Sequence, residues 1–264
     1  MPDRDEVPRI LVTGAAGVLG GAVMHALSIR KIAARGSSRR ERPAGFAGDW
    51  ARIDLLSGRG LAAAADGMNG IIHCASDPAK PAQDLKALAH LIDAAARTKL
   101  RIVYVGIAGI EQAAPAYRYY AIKLACERRL ADSGIAHTIV RATQFHPFVE
   151  YLLQRLTFGP ALFVPALCLQ PVDVAHVANR LVEHALAGTA GRAIDLCGPE
   201  RLDARTLAQS WLAARHLRKR LLPAPAFGPL RALARIAPVD GDAGGIGWTQ
   251  WLSAPDAQHD AYQR

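Results

Sequence analysis

Cysteine is scarce in this chain, long apolar runs are missing, and carboxylates are outnumbered. The four cysteines, Cys74, Cys126, Cys168 and Cys197, are scattered with no CxxC pair. That spacing argues against zinc or any other metal centre and suits buried thiols in a reducing compartment. The longest uncharged run, LTFGPALFVPALCLQPV, holds three prolines. It falls short of a bilayer span, so it reads as loop and short strand, and no membrane partner is expected. The first residues, MPDRDEVPR, are charged and carry proline rather than the apolar core of a signal peptide, so a cytoplasmic location is expected. Lys and Arg number 32 against 23 Asp and Glu, a formal charge of +9. Such an excess raises the question of nucleic acid. The basic residues are dispersed, however, and the densest group, RHLRKR at 215–220, suits the polar face or end of a helix. With no DNA-reading motif, a nucleic-acid partner is not expected, and an anionic cofactor is the simpler match for the charge.

What is present is an ordinary globular composition over 264 residues, 51% hydrophobic and 21% charged, enough for one α/β domain with a large core. Near the start stands RILVTGAAGVLGGAVMHAL, with four glycines in eight residues behind an apolar run. Ile10, Leu11 and Val12 read as a short buried strand. Val18, Leu19, Ala22, Val23, Ala26 and Leu27 recur at helical spacing directly after the glycines. In a strand–loop–helix corner of this kind, Gly14 and Gly17 let the backbone approach a ligand and Gly20 lets the helix lie close to the strand. The free N–H groups of the helix N-terminus then face an anion. The spacing Thr13-Gly14-x-x-Gly17-x-x-Gly20 differs from GxGxxG and resembles the short-chain dehydrogenase/reductase superfamily in its extended and atypical branches.

Further along, KIAARGSS, DWARIDLL, GIIHCAS, RIVYVGIAG and IAHTIVRAT read as the second to sixth strands. DLKALAHLIDAAART carries a helical stripe of Leu85, Leu88, Ala89, Leu91, Ile92 and Ala95, and YRYYAIKLACERRLADSG forms another helix ending at Gly134. Strands alternating with helices imply βαβ crossovers and a Rossmann-type, doubly wound parallel sheet in an α/β fold. From about Gln144 the order loosens through FHPFVEYLLQRL and a proline-punctuated section. QPVDVAHVANRLVEHAL follows, with Asp173 as a helix N-cap, and RAIDLCGPE adds a strand and turn. Residues 201–264 read as helices and a Pro- and Gly-rich tail. There is no internal repeat and no sharp linker, so residues 1–264 read as a single domain in which about 144–264 form a smaller substrate-side subdomain.

The position that selects the nucleotide lies about twenty residues after the first glycines. Here it falls in RGSSRRER, where Arg35, Arg39 and Arg40 accompany Ser37 and Ser38, and the first carboxylate is Glu41. A guanidinium takes a phosphate in paired, charge-assisted hydrogen bonds, so NADP(H) is favoured and NAD(H) is the alternative. Arg39 is the first choice, with Ser38 and Arg40 beside it. The superfamily resemblance implies that Asp54 and Leu55, after the third strand, lie near the adenine. Ala75 and Ser76 close the fourth strand beside the cofactor crevice, and His73 is read as a packed strand residue.

Tyr119 and Lys123 stand at i, i+4 in YYAIK, on one helix face. An ammonium beside a phenol favours the phenolate and makes the tyrosine a better acid/base near neutral pH. The resemblance implies a second task for Lys123, a hydrogen bond to the nicotinamide ribose. It also implies a Ser or Thr near the end of the fifth strand, where this chain has Gly106. PRILVTGAAGVLG, YYAIKLACERRL, IVRATQFHPF and QPVDVAHVA are similar to atypical members: the NmrA-like NAD(P)-binding proteins and NADPH-dependent quinone or related reductases. That branch implies an NADP(H)-dependent reductase of a small apolar carbonyl or quinone-like substrate. It also contains silent dinucleotide sensors, and a third reading is a nucleotide-sugar epimerase or dehydratase. Gln144, Phe145 and His146 leave the sixth strand on the substrate side together with Phe148. The aromatics either face a planar substrate or anchor the C-terminal part, and His146 is a second candidate proton donor.

Overall fold

Aliphatic runs form the interior strands. Ile10, Leu11 and Val12 are fully buried in β1 (Arg9–Thr13), and the glycine-rich turn after it leads into α1 (Val18–Ile29). The chain continues through β2 (Ala33–Ser38), β3 (Asp49–Arg52), α2 (Leu61–Ala65), β4 (Gly70–His73), α3 (Ala82–Thr98), β5 (Arg101–Ile107), α4 (Ile110–Ala113), α5 (Arg118–Ala131) and β6 (His137–Ala142). After these come α6 (His146–Arg155), β7 (Thr157–Phe158), β8 (Ala161–Pro165), β9 (Cys168–Leu169), α7 (Val174–Ala187), β10 (Gly191–Arg192), β11 (Leu196–Cys197), β12 (Leu202–Asp203), α8 (Ala204–Ala214), β13 (Arg220–Ala224), α9 (Pro229–Leu233), β14 (Asp242–Ala243) and α10 (Trp248–Ser253). This computed structural model describes residues 8–44, 46, 48–255 and 262. No helix among them is long and apolar enough to cross a membrane.

Packing divides the chain into two compact units, residues 1–106, 122–140 and 177–193 in one and residues 107–121, 141–176 and 194–264 in the other. In this division 107–121 join the C-terminal residues, and 177–193 pack with the first unit. The first unit holds strands in the order β6-β5-β4-β1-β2-β3, with β10 beside β6. β1 pairs in parallel with both β2 and β4, and β2 with β3. From β1 the chain moves first to one side and then to the other, a topological switch that opens a crevice at the carboxyl ends of β1 and β4. Leu11, Ile71 and Ile102 from adjacent strands pack with Leu88 and Leu91 of α3 in one core cluster.

In the second unit Leu196 of β11 pairs with Ala142 at the end of β6, and β11 pairs with β14. β7 and β8 form an antiparallel hairpin, with β13 in parallel on the other side of β8. β13 departs from the sequence expectation, because RLLPA carries a proline and reads as part of a tail; proline is tolerated there on an outer strand. FHPFVEYLLQRL is a regular helix rather than a loosened segment. Its proline sits in the first turn, where no intrahelical N–H is needed. Glu150 anchors the helix by accepting hydrogen bonds from Trp211 Nε1 at 2.9 Å and Arg215 Nε at 2.8 Å. Asp173 does cap α7, accepting from the Ala175 N–H at 2.9 Å. Of the cysteines, Cys126 and Cys197 are buried, Cys74 is half-buried and Cys168 is exposed.

Candidate functional site

The glycines after β1 have unequal tasks. Gly14 has φ +70°, and a Cβ on it would come within 2.8 Å of the Ala75 backbone at the exit of β4. A Cβ on Gly20 would sit 2.1 Å from the Gly14 carbonyl oxygen. Gly20 thus makes room for the loop that precedes it rather than for the strand, and Gly14 makes room for the neighbouring strand's exit. Ala16 and Gly17 are exposed and form the outer rim of the turn. Gly17 is the N-cap of α1, no side chain caps that end, and no acidic residue stands in its first turn. The leading N–H groups, those of half-buried Val18 and buried Leu19 among them, therefore have no intrahelical acceptor. This is an anion cradle at the switch point, and the residues present fit a dinucleotide pyrophosphate. Thr13 lies behind the cradle. Its buried Oγ1 is 2.7 Å from His73 Nδ1.

At the end of β2 the basic cluster splits by role. Arg35 is committed to structure: Nε donates to Asp49 at 2.6 Å and Nη1 to the Ala64 carbonyl at 2.9 Å. Ser37 is buried and donates to the Val12 carbonyl at 3.0 Å. Ser38 Oγ accepts from the Arg40 N–H at 3.0 Å and folds the turn. Arg39 and Arg40 are exposed. Asp54 lies beyond β3, not within a strand. Its carboxylate accepts from the Leu56 N–H at 3.0 Å and from Ser57 Oγ at 2.7 Å, and these bonds hold its pKa below the ordinary value. Leu55 beside it is half-buried.

Behind the crevice lies a polar cluster inside the first unit, of which sequence reasoning missed Asp84. Lys123 is 5% exposed. Its Nζ donates to the Val105 carbonyl at 2.9 Å and stands 4.3 Å from the centre of the Tyr104 ring. Burial lowers its pKa, and the nearby Asp84, Cys126 and Glu127 oppose that shift. Asp84 accepts from Ser76 Oγ at 2.6 Å and from the Asp77 N–H at 3.2 Å, which ties the exit of β4 to α3. The His73 ring stacks on Tyr104, with centroids 5.7 Å apart. Burial, helped by the Lys123 charge, pushes the pKa of His73 down to about 3. Asp84 was legible in principle: it falls in phase with Leu88, Leu91 and Ala95 on the buried face of α3, and a carboxylate on an apolar stripe implies a buried partner. Gly106, next to Val105, is buried in β5 and offers no hydroxyl.

In the second unit Tyr119 is half-buried beside Tyr117 and Tyr120, with ring centroids 6.5 and 5.7 Å away. It stands on α5 one turn ahead of Lys123, about 6 Å along the axis. Gln144 Oε1 lies 3.4 Å from the Gln170 N–H as an acceptor, and Phe145 is the N-cap residue of α6. His146 is fully buried. Its Nε2 lies 2.9 Å from the Ile246 carbonyl, and its ring packs on Trp248 and Trp251 at 5.8 and 5.5 Å. Burial lowers its pKa, and its ring lies in the core of the second unit. Among the described residues no group of His, Cys, Asp and Glu could hold a metal ion.

A family model described as NAD(P)H-binding matches residues 14–185, the part that holds the cradle, the basic turn and α5. The chain belongs to that family. Its fold is that of the short-chain dehydrogenase/reductase and epimerase superfamily. It is similar to a nucleoside-diphosphate-sugar epimerase from Staphylococcus aureus, with TM-score 0.75 and 17% identity over 93% of this chain and 100% of that one. A UDP-glucose 4-epimerase from Thermus thermophilus, complexed with NAD, gives TM-score 0.67 and 20% identity over 86% and 92% of the two chains. A short-chain dehydrogenase/reductase superfamily protein from Agrobacterium tumefaciens with bound NAD gives 0.65 and 19% over 82% and 86%. No curated protein sequence matches this chain. Membership of the NAD(P)H-binding family accords with the cradle geometry after β1.

Proposed function

We propose that this chain is an NADP(H)-dependent oxidoreductase of the atypical, NmrA-like kind, reducing a small apolar carbonyl or quinone-like substrate. The observation that carries the reading is Lys123. Burying an ammonium is costly unless it is paired, yet here it is bonded and shielded one helical turn after a half-buried tyrosine. A buried lysine whose pKa burial lowers, beside a cofactor crevice, is a candidate for chemistry. A bound dinucleotide would supply the hydride. Tyr119 donates the proton at the substrate oxygen, Lys123 supports the phenolate that remains, and Ser76 and Ala75 border the crevice. Arg39 and Arg40, exposed while Arg35 is engaged, would hold a 2′-phosphate, which favours NADP(H) over NAD(H).

Two other readings have an observation behind them. Gly106 leaves the β5 position without the hydroxyl that would polarise a carbonyl, which favours a dinucleotide sensor without turnover. The similarity to nucleotide-sugar epimerases favours a sugar-nucleotide substrate. NADPH oxidation against a panel of quinones, aldehydes and ketones separates the three. Turnover that falls about 10²-fold in Tyr119→Phe, with NADPH binding retained, supports the reductase. Tight NADPH binding with no reduced compound supports the sensor. Interconversion of UDP-sugars without net NADPH oxidation supports the epimerase.

A further inference from the structure

The formal charge of +9 is not spread through the chain as its sequence first implies. Residues 151–172 contain one basic residue, Arg155, and residues 204–239 contain seven Lys and Arg, and neither segment holds an Asp or Glu. These two segments are remote in sequence, but the fold of the second unit joins them, because β8 from the first pairs with β13 from the second, Arg220 opposite Ala161 and Leu222 opposite Phe163. The Arg220 N–H donates to the Pro160 carbonyl at 2.9 Å and Lys219 Nζ to the Gly159 carbonyl at 2.6 Å.

Alternation along a strand sorts this three-stranded sheet into two faces. Leu162 and Val164 are buried on one. Ala161, Phe163, Arg220 and Leu222 share the other, and Phe158, directly opposite Ala161 on β7, lies against Phe163 with ring centroids 6.1 Å apart. On that outer face Phe158 is 64% exposed and Leu222 is 40% exposed. Arg218 and Arg220 beside them are exposed too. Apolar side chains clustered on a surface and rimmed by cations mark an interaction site rather than scattered exposure.

We infer that this face, Phe158, Phe163 and Leu222 with Arg218 and Arg220, docks on an anionic lipid bilayer surface. The apolar side chains enter the headgroup boundary while the basic ones meet lipid phosphates and carboxylates. Charge argues against a second copy docked face to face, since the same cations would meet. The two phenyl rings could also stack on bases, but Leu222 beside them adds aliphatic surface that suits acyl chains, and the oligonucleotide arm of the test separates the two. The inference does not depend on the proposed reaction.

The test is co-sedimentation of the full chain with vesicles of phosphatidylcholine alone and of phosphatidylcholine mixed with phosphatidylserine. Wild type is compared with Phe158→Ser/Leu222→Ser and with Arg218→Glu/Arg220→Glu, each checked for unchanged NADPH affinity and melting temperature. The expected result is roughly fivefold or more protein on the anionic vesicles than on the neutral ones, with both double variants reduced to the neutral level. A charge variant that fails to fold is replaced by Arg218→Gln/Arg220→Gln, for which a clear loss is still expected. Equal binding to both vesicles, no binding to either, or anionic binding unaffected by both variants overturns the inference. So does binding of a nucleic-acid oligonucleotide without binding of vesicles, or dimerisation that is lost in Phe158→Ser/Leu222→Ser.

Discussion

At the scale of single residues, burial decides which titratable groups are available. His73 keeps a neutral ring because a charged one has no water around it and faces Lys123. Its folded pKa, about 3, lies below the ordinary 6.5. Unfolded chains therefore take up a proton that the folded chain refuses. Its contribution to stability is complete above pH 6.5 and declines as the pH falls from there toward 3. Thermal melts from pH 7 to pH 4 should show a steeper loss for wild type than for His73→Asn; parallel curves would show that another group governs acid unfolding. Arg39 is set apart by a different criterion, since its neighbour Arg35 is already tied to Asp49. Arg39→Ala should weaken NADPH about tenfold or more and leave NADH nearly unchanged, a loss on the order of 1.5–3 kcal/mol for a charge-assisted bond. Calorimetry with both cofactors checks this, and equal losses for the two would remove Arg39 from the 2′-phosphate role.

At the scale of elements, two junctions carry most of the positional information. The first is the turn between β1 and α1. Gly20→Val places its Cβ against backbone, 2.1 Å from the Gly14 oxygen, so neither loop nor helix can stay where it is. NADPH binding should be abolished in any folded fraction of that variant, and retained affinity would mean that the turn does not form the phosphate site. The second junction joins α6 to α8. Glu150 is 2% exposed and serves both Trp211 and Arg215. Glu150→Ala leaves an indole N–H and a guanidinium without their acceptor, and should cost about 3 kcal/mol in denaturant unfolding. A loss within about 0.5 kcal/mol would show that water replaces the carboxylate.

At the scale of the whole molecule, stability and ligand are linked. A dinucleotide that binds only the folded chain stabilises it by about 2.7 kcal/mol at a hundredfold excess over Kd. NADPH should therefore raise the melting temperature more than NADH at equal concentration, and the reverse order would make NAD(H) the preferred cofactor. Much of the fold behind this is legible in the sequence, because local chemistry suffices for it. The apolar run Ile10–Val12, the Thr13-Gly14-x-x-Gly17-x-x-Gly20 turn and the helical stripe after it specify strand, loop and helix without distant contacts. The same is true of the i, i+4 relation of Tyr119 and Lys123, and of Asp173 as a cap.

Other features depend on which segments the fold brings together, and no local pattern contains that. Lys123 becomes buried only because β5 presents Val105 and Tyr104 to it, with Asp84 nearby on α3. Arg35 is withdrawn from the basic turn only once β2 pairs with β3 and brings Asp49 alongside. His146, a second candidate proton donor in QFHPF, packs on Trp248 and Trp251, about a hundred residues later in the chain. The net charge is a property of composition. The basic run at 215–220 is visible along the chain, but that it lies beside Phe158 and Phe163 was decided by the pairing of β8 with β13, since long-range contacts follow from burial of the whole core rather than from any neighbour in sequence.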